Sequence, residues 1–195
     1  TIQGGTAISA NDIEAKSGIY AIGVNVSRSG GTINIGDDVA FTNVSTGGEA
    51  RITSGAGDAF AKVEVDALNA SAGSIDITGN VMSDITATGG KATSDSGEAN
   101  AGVDIAGIYA EDGEDPADIS NITISGNVNL TATGIGGEAT TTTGTADASV
   151  AVGGIANKGS GTITVEGNTT INSIATAGTQ GGTPNDGEAI AWGVS

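Results

Sequence analysis

Short runs in which isoleucine or valine alternates with a polar residue recur along this chain: Ile33-Asn34-Ile35, Ile75-Asp76-Ile77, Ile122-Thr123-Ile124 and Ile163-Thr164-Val165. Alternation with period two predicts β-strands with one buried face. The first isoleucines of the runs stand 42, 47 and 41 residues apart. Each run leads into a turn that opens on glycine: Gly36-Asp37, Gly79-Asn80, Gly126-Asn127 and Gly167-Asn168. Glycine pairs follow at 47, 89 and 136, and then a second alternating pattern. Its inward set reads Ala59, Ala61, Val63 and Val65, then Ala99, Ala101, Val103 and Ile105, then Ala148, Val150 and Val152, then Ala189, Ala191 and Val194. In the first pattern Ile33, Ile35 and Val39 face inward.

A period of about 42 residues predicts a solenoid, a propeller or a helical array. Helical repeats conflict with 34 glycines and with β-branched residues at alternate positions. Propeller blades carry aromatic signatures, and this chain has one Trp. Short strands, tight turns and small aliphatic inward residues predict an all-β, parallel β-solenoid spanning 1–195 as one domain. Successive inward alanines predict a thin cross-section on one side. With two coils of roughly 20 residues assigned to each repeat, about nine coils at ~4.8 Å give a rod of roughly 45 Å. The recurring glycine turns are expected to need positive φ at each level. Two stretches depart from the repeat and read as loops leaving the stack: the acidic segment at 111–118, which extends to residue 120, and the glycine-rich segment at 178–187. The chain opens on Thr1 and neither end carries an amphipathic cap, so a piece of a longer precursor or end-to-end stacking of copies is expected.

Charge narrows the partners. The net charge is −17, from 23 acidic against six basic residues. A nucleic-acid footprint is absent, anionic membranes would repel the chain, and no apolar run reaches membrane-spanning length, so no membrane insertion is expected. Without His or Cys there is no nucleophilic triad, disulfide or thiolate metal site. The adjacent Asp37 and Asp38 do not form an acid/base pair across a scissile bond. No catalytic residue and no certain cofactor are assigned, and the chain is expected not to be an enzyme. The one metal candidate is the acidic segment, where Glu111, Asp112, Glu114, Asp115 and Asp118 offer hard oxygen ligands suited to calcium. The alternative is a solvated acidic loop. Thr-rich runs such as 140–143 suit polar strand faces, with ice binding as the functional alternative.

The unit Gly-Thr/Ser-Ile-x-Ile-x-Gly-Asn-Val, followed by Gly-Gly-x-Ala and then Gly-x-Ala-x-Ala-x-Val, resembles the repeats of large bacterial surface proteins, namely autotransporter passengers and filamentous-haemagglutinin-like adhesins. The resemblance covers nearly the whole chain and implies a right-handed parallel β-helix on an extracellular or cell-surface protein. It carries over no binding residue. The expectation is a non-enzymatic structural protein, a surface spacer or filament subunit stacking on itself end to end. The alternative is an adhesin that binds other surface proteins or glycans through the segments at 111–118 and 178–187.

Overall fold

The computed structural model describes residues 1–195 apart from 11–13, 114, 116–117 and 185–186. Every regular element among them is a β-strand, and every ladder is parallel. The strands stack into walls. One wall contains Ile19–Val26, Val63–Ala70, Val103–Ala110, Val150–Asn157 and Ala189–Val194. The opposite wall contains Ile2–Gln3, Val39–Thr46, Val81–Thr88, Val128–Ile135 and Thr169–Thr176. A short sheet of Gly31–Ile35, Gly73–Ile77, Asn121–Ile124 and Ile163–Val165 joins them at one side. On the other side two ladders merge in the long strand Glu138–Asp147. This stacked parallel arrangement matches that of a β-solenoid.

The register overturns the division into two coils per repeat. Ile33 lies opposite Ile75, Ile75 opposite Ile122, and Ile122 opposite Ile163. Neighbours in the ladder are therefore whole repeats, not half repeats. Each repeat makes one turn, and the walls are five strands deep. At ~4.8 Å per strand the stack is about 20 Å tall, not 45 Å.

Inside, like stacks on like. Ile75, Ile77, Ile122, Ile124 and Leu130 fill a wide lobe between the short sheet and the two walls. Val63, Val65, Ile85, Val103, Ile105 and Val152 continue the core between the walls. The merged ladders enclose a lobe built of alanines, among them Ala50, Ala59, Ala92, Ala99, Ala139 and Ala146, so the thin side was correctly expected. The predicted inward positions from Ala59 through Val152 are buried, whereas Ile33, Ile35 and Val39 are partly buried against the same core. Ala189 and Ala191 keep the inward register but are exposed in the last turn.

The glycine pairs form a neck between the two lobes. The Gly90, Gly137 and Gly178 amides donate across the interior to the carbonyls of Ala61, Ala101 and Ala148 at 3.1, 2.9 and 3.0 Å. In the first turn the Ser17 hydroxyl donates to the Gly5 carbonyl at 2.6 Å. Backbones approach so closely here that a Cβ on Gly137 would overlap the Gly90 carbonyl oxygen and lie 2.6 Å from the Gly89 carbonyl carbon.

The glycine turns after the isoleucine runs do not need positive φ. Only Gly30, Gly55 and Gly182 have it among the described residues. The turns recur because of a side-chain ladder. Asp38 Oδ1 accepts from the Asn80 amide and Nδ2 at 2.7 and 2.9 Å. Asn80 Oδ1 accepts from the Asn127 amide and Nδ2 at 2.9 and 3.1 Å, and Asn127 Oδ1 accepts from the Asn168 amide at 2.9 Å. Each turn thus satisfies a backbone donor of the next.

The two supposed loops differ. The described residues of 111–120 form no strand between Val103–Ala110 and Asn121–Ile124. The other segment stays in the stack through 178–184. Thr179–Pro184 is a strand, paired through Thr179–Gly181 to Glu138–Thr140 and through Thr183–Pro184 to Thr145–Ala146. It crosses that side in fewer residues than its neighbour, so it is a shortened turn and not an insertion.

Candidate functional site

The first wall breaks its own alternation. Ala67 and the next residue, Leu68, are both buried in the core. Gly23, Gly107, Gly154 and Gly193 occupy the Ala67 level in the other turns. A Cβ on Gly23 would meet the Phe41 ring, one on Gly107 would come within 2.7 Å of Leu130, and one on Gly154 within 2.5 Å of Ile171. Large side chains of the opposite wall thus press against small residues here. With two consecutive residues turned inward, the outward residues on either side converge. Asn69 Nδ2 donates to Asp66 Oδ2 at 2.8 Å. The outer face is therefore concave.

That concavity is a groove of ≈ 420 Å³ bordered by Tyr20, Asp66, Asp104, Tyr109, Lys158 and Trp192. A smaller hollow of ≈ 280 Å³ adjoins it, and both are lined by Glu64, Asp104 and Ala151. The register explains the composition. Tyr20, Glu64, Asp104, Ala151 and Ile190 form one outward column, and Ile22, Asp66, Ala106, Gly153 and Trp192 the next. The indole of Trp192 lies over Gly153, where a Cβ would stand 2.6 Å from the ring. Lys158 Nζ sits 5.3 Å from the centre of the Tyr109 ring, and Tyr109 donates its hydroxyl to Glu111 Oε2 at 2.7 Å.

The electrostatics are unfavourable to the groove's own anions. Burial raises the Asp66 carboxyl above its ordinary range, against the help of Asn69, and Asp104 adds to the rise. Burial raises Glu64, reinforced by Asp66 and Asp104. Asp104 is raised by burial, opposed by Lys158 and Lys62. The Tyr109 hydroxyl is also raised, by burial and then by Glu111. Asp66 is 5% exposed, whereas Glu64 and Asp104 stand in the concave wall with accessible carboxylates. Among the described residues no lysine or arginine forms an ion pair with these carboxylates. The two ion pairs, Lys16–Glu14 and Lys91–Glu138, lie elsewhere.

Acidification is therefore expected to stabilise the fold. A carboxyl raised in the folded chain holds its proton more tightly there than when unfolded. Stability then rises as pH falls through the raised values, and levels off near the ordinary 4.5 of Glu and 3.8 of Asp. Asp112, which is lowered, works in the opposite sense at lower pH. Thermal melts should show the midpoint climbing as the pH is lowered from neutral toward the ordinary 4.5 of Glu, and Asp66→Asn with Asp104→Asn should flatten that climb.

The sequence-predicted calcium ligands are spread over separate partners. Asp112 Oδ2 accepts from the Ser160 amide at 2.6 Å. That bond, with further help from Ser160, lowers the Asp112 carboxyl. Asp118 Oδ1 accepts from the Ser29 hydroxyl, Asp115 gives its carbonyl to the Asp118 amide at 2.8 Å, and Glu111 faces Tyr109. Glu114 lies outside the described residues. Among the described residues no group of three or more acidic side chains converges on one point. Glu111 is the one member of that set that also lines the groove. Comparison with known proteins returns no matching family, no similar curated protein and no similar solved structure.

Proposed function

We propose that the chain is a right-handed β-solenoid of roughly 42-residue repeats that serves as a non-enzymatic extracellular scaffold, a surface spacer or filament subunit extending by axial stacking. The observation that supports this reading is where the recurring residues go. The isoleucine column, the glycine neck and the Asp38–Asn168 ladder all hold one turn on the next. Little of the repeated sequence is left over for anything but stacking. The terminal turns present apolar side chains of the inward register along open strand edges, with Ile2 41% and Val194 71% exposed. Parallel pairing with another solenoid turn would cover them.

Electron microscopy of the purified chain tests this. Filaments with a repeat of whole stacks are expected. A Cβ at Gly5 meets nothing within 4 Å in the isolated chain, but its direction is that of the axial neighbour. Gly5→Val should therefore keep the fold and lose the filaments. Discrete particles at all concentrations would overturn end-to-end assembly.

A second reading, a surface adhesin, is favoured by one placement: Glu111, the first residue of the acidic segment, follows Val103–Ala110 and lines the groove. Deleting 111–118 separates the two readings. Loss of binding to other surface proteins or glycans with an unchanged melt supports the adhesin; unchanged assembly supports the scaffold.

A further inference from the structure

We propose that the groove binds a small organic polycation, a linear polyamine in chemical class, its ammonium groups against Glu64, Asp66 and Asp104 and its methylene chain against Tyr20, Tyr109 and Trp192. Charge is the first argument. The groove gathers three carboxylates on adjacent strands, with Glu111 at its border, and none forms an ion pair among the described residues. Like charges directly opposite one another across a ladder repel. Glu64 and Asp104 project outward from the wall, while Asp66, bonded to Asn69 and nearly buried, adds its charge from the floor of the groove.

The second argument is an ammonium already seated there. Lys158 reaches from the following turn to stand over the Tyr109 ring. The groove thus offers an alkylammonium an aromatic face and nearby anions, the two features that hold such a group. Lys158 and Lys62 both draw on Asp104 without pairing with it, and against these two ammonium groups stand four carboxylates, Glu64, Asp66, Asp104 and Glu111.

The third argument is shape. Glu64 and Asp104 are one strand apart, and Asp66 is two residues along from Glu64. Those steps are ~4.8 Å and about 7 Å. Carboxylates set on such a grid do not converge on a point, as a metal ion's ligands must at 2.3–2.6 Å. A flexible chain with spaced charges fits the grid. A neutral sugar would leave the charge uncompensated.

Titration calorimetry with spermidine on the full chain tests this. Saturable one-to-one binding is expected. Glu64→Gln with Asp104→Asn should weaken it about tenfold or more, and Tyr109→Leu should weaken it too. The control, Asp84→Asn with Glu166→Gln, removes the same charge from exposed sites outside the groove and should leave affinity unchanged. The isosteric groove variants relieve repulsion, so their melts should be no lower than the parent's. Absence of saturable heat, equal loss in groove and control variants, an unchanged Tyr109→Leu, or displacement by magnesium at equal charge would each overturn the proposal.

Discussion

Gly137→Ala, a change of one methyl group, is expected to lower stability by about 3 kcal/mol or more, enough to leave much of the chain unfolded. The added Cβ would enter the Gly90 carbonyl oxygen and crowd the Gly89 carbonyl. Neither obstacle is a movable side chain. Both belong to the backbone of the turn below, which is pinned by the Gly90 amide on Ala61 and by the Glu138 amide on Gly90. Relief would require separating the two turns and stretching the bond from Gly137 to Ala101 across the neck. Gly5→Ala is the internal control. Gly5 occupies the same corner in the first turn, where a Cβ meets nothing within 4 Å. At concentrations too low for assembly, its melt should match the parent's or rise slightly, because alanine restricts the unfolded chain. Urea melts of the two variants check this. Equal midpoints would show that glycine is kept at the neck for its backbone freedom and not for its size.

That distinction also explains what the sequence made legible and what it hid. The inward positions from Ile33 to Val152 could be read because alternation maps directly onto the two faces of a strand. The thin alanine lobe could be read for the same reason. The number of coils per repeat could not be read from strand length. It was nevertheless implicit, since isoleucine can stack on isoleucine and alanine on alanine only if whole repeats are neighbours. Glycine misled twice. At Gly79 and Gly126 it signals a closely stacked backbone beside an asparagine ladder, not a left-handed turn. At 178–187 a loop-like composition conceals the strand Thr179–Pro184, whose edge pairs with Glu138–Asp147.

The groove left a fainter trace. Val65-Asp66-Ala67-Leu68-Asn69-Ala70, Ile105-Ala106-Gly107-Ile108-Tyr109-Ala110 and Val152-Gly153-Gly154-Ile155-Ala156-Asn157 each slip by one residue between the third and fourth positions. A slip of one normally turns a strand's apolar set outward. Repeated in register it produces a bend, and the bend makes the concave face. The carboxylates that line it could not be singled out beforehand. Their significance comes from standing in adjacent turns, whereas the acidic run at 111–118 is dense in sequence, and its members Glu111, Asp112 and Asp118 line one hollow while bonding separate partners.

Ile122→Ala is expected to cost about 2–5 kcal/mol. Ile122 is fully buried, with Ile75 in register on one side and Ile163 on the other. Those neighbours cannot move in to fill the space, because the ladder fixes their spacing; the Ile122 amide itself is bonded to the Thr162 carbonyl at 2.9 Å. The cavity therefore stays open, the condition under which truncation costs most. Ile33→Ala should cost less, since Ile33 is only partly buried at the edge of the same sheet. A second effect follows from the stacking. Each turn is stabilised by the turns above and below it, so cooperativity depends on the interfaces between them. Weakening a central turn lets the two halves of the stack unfold separately. Urea melts of Ile122→Ala should then show a lower midpoint together with a shallower slope or a second transition, while Ile33→Ala should shift the midpoint alone. Parallel shifts of equal size in both variants would mean that the stack behaves as one indivisible core, and that the turn is not its unit of stability.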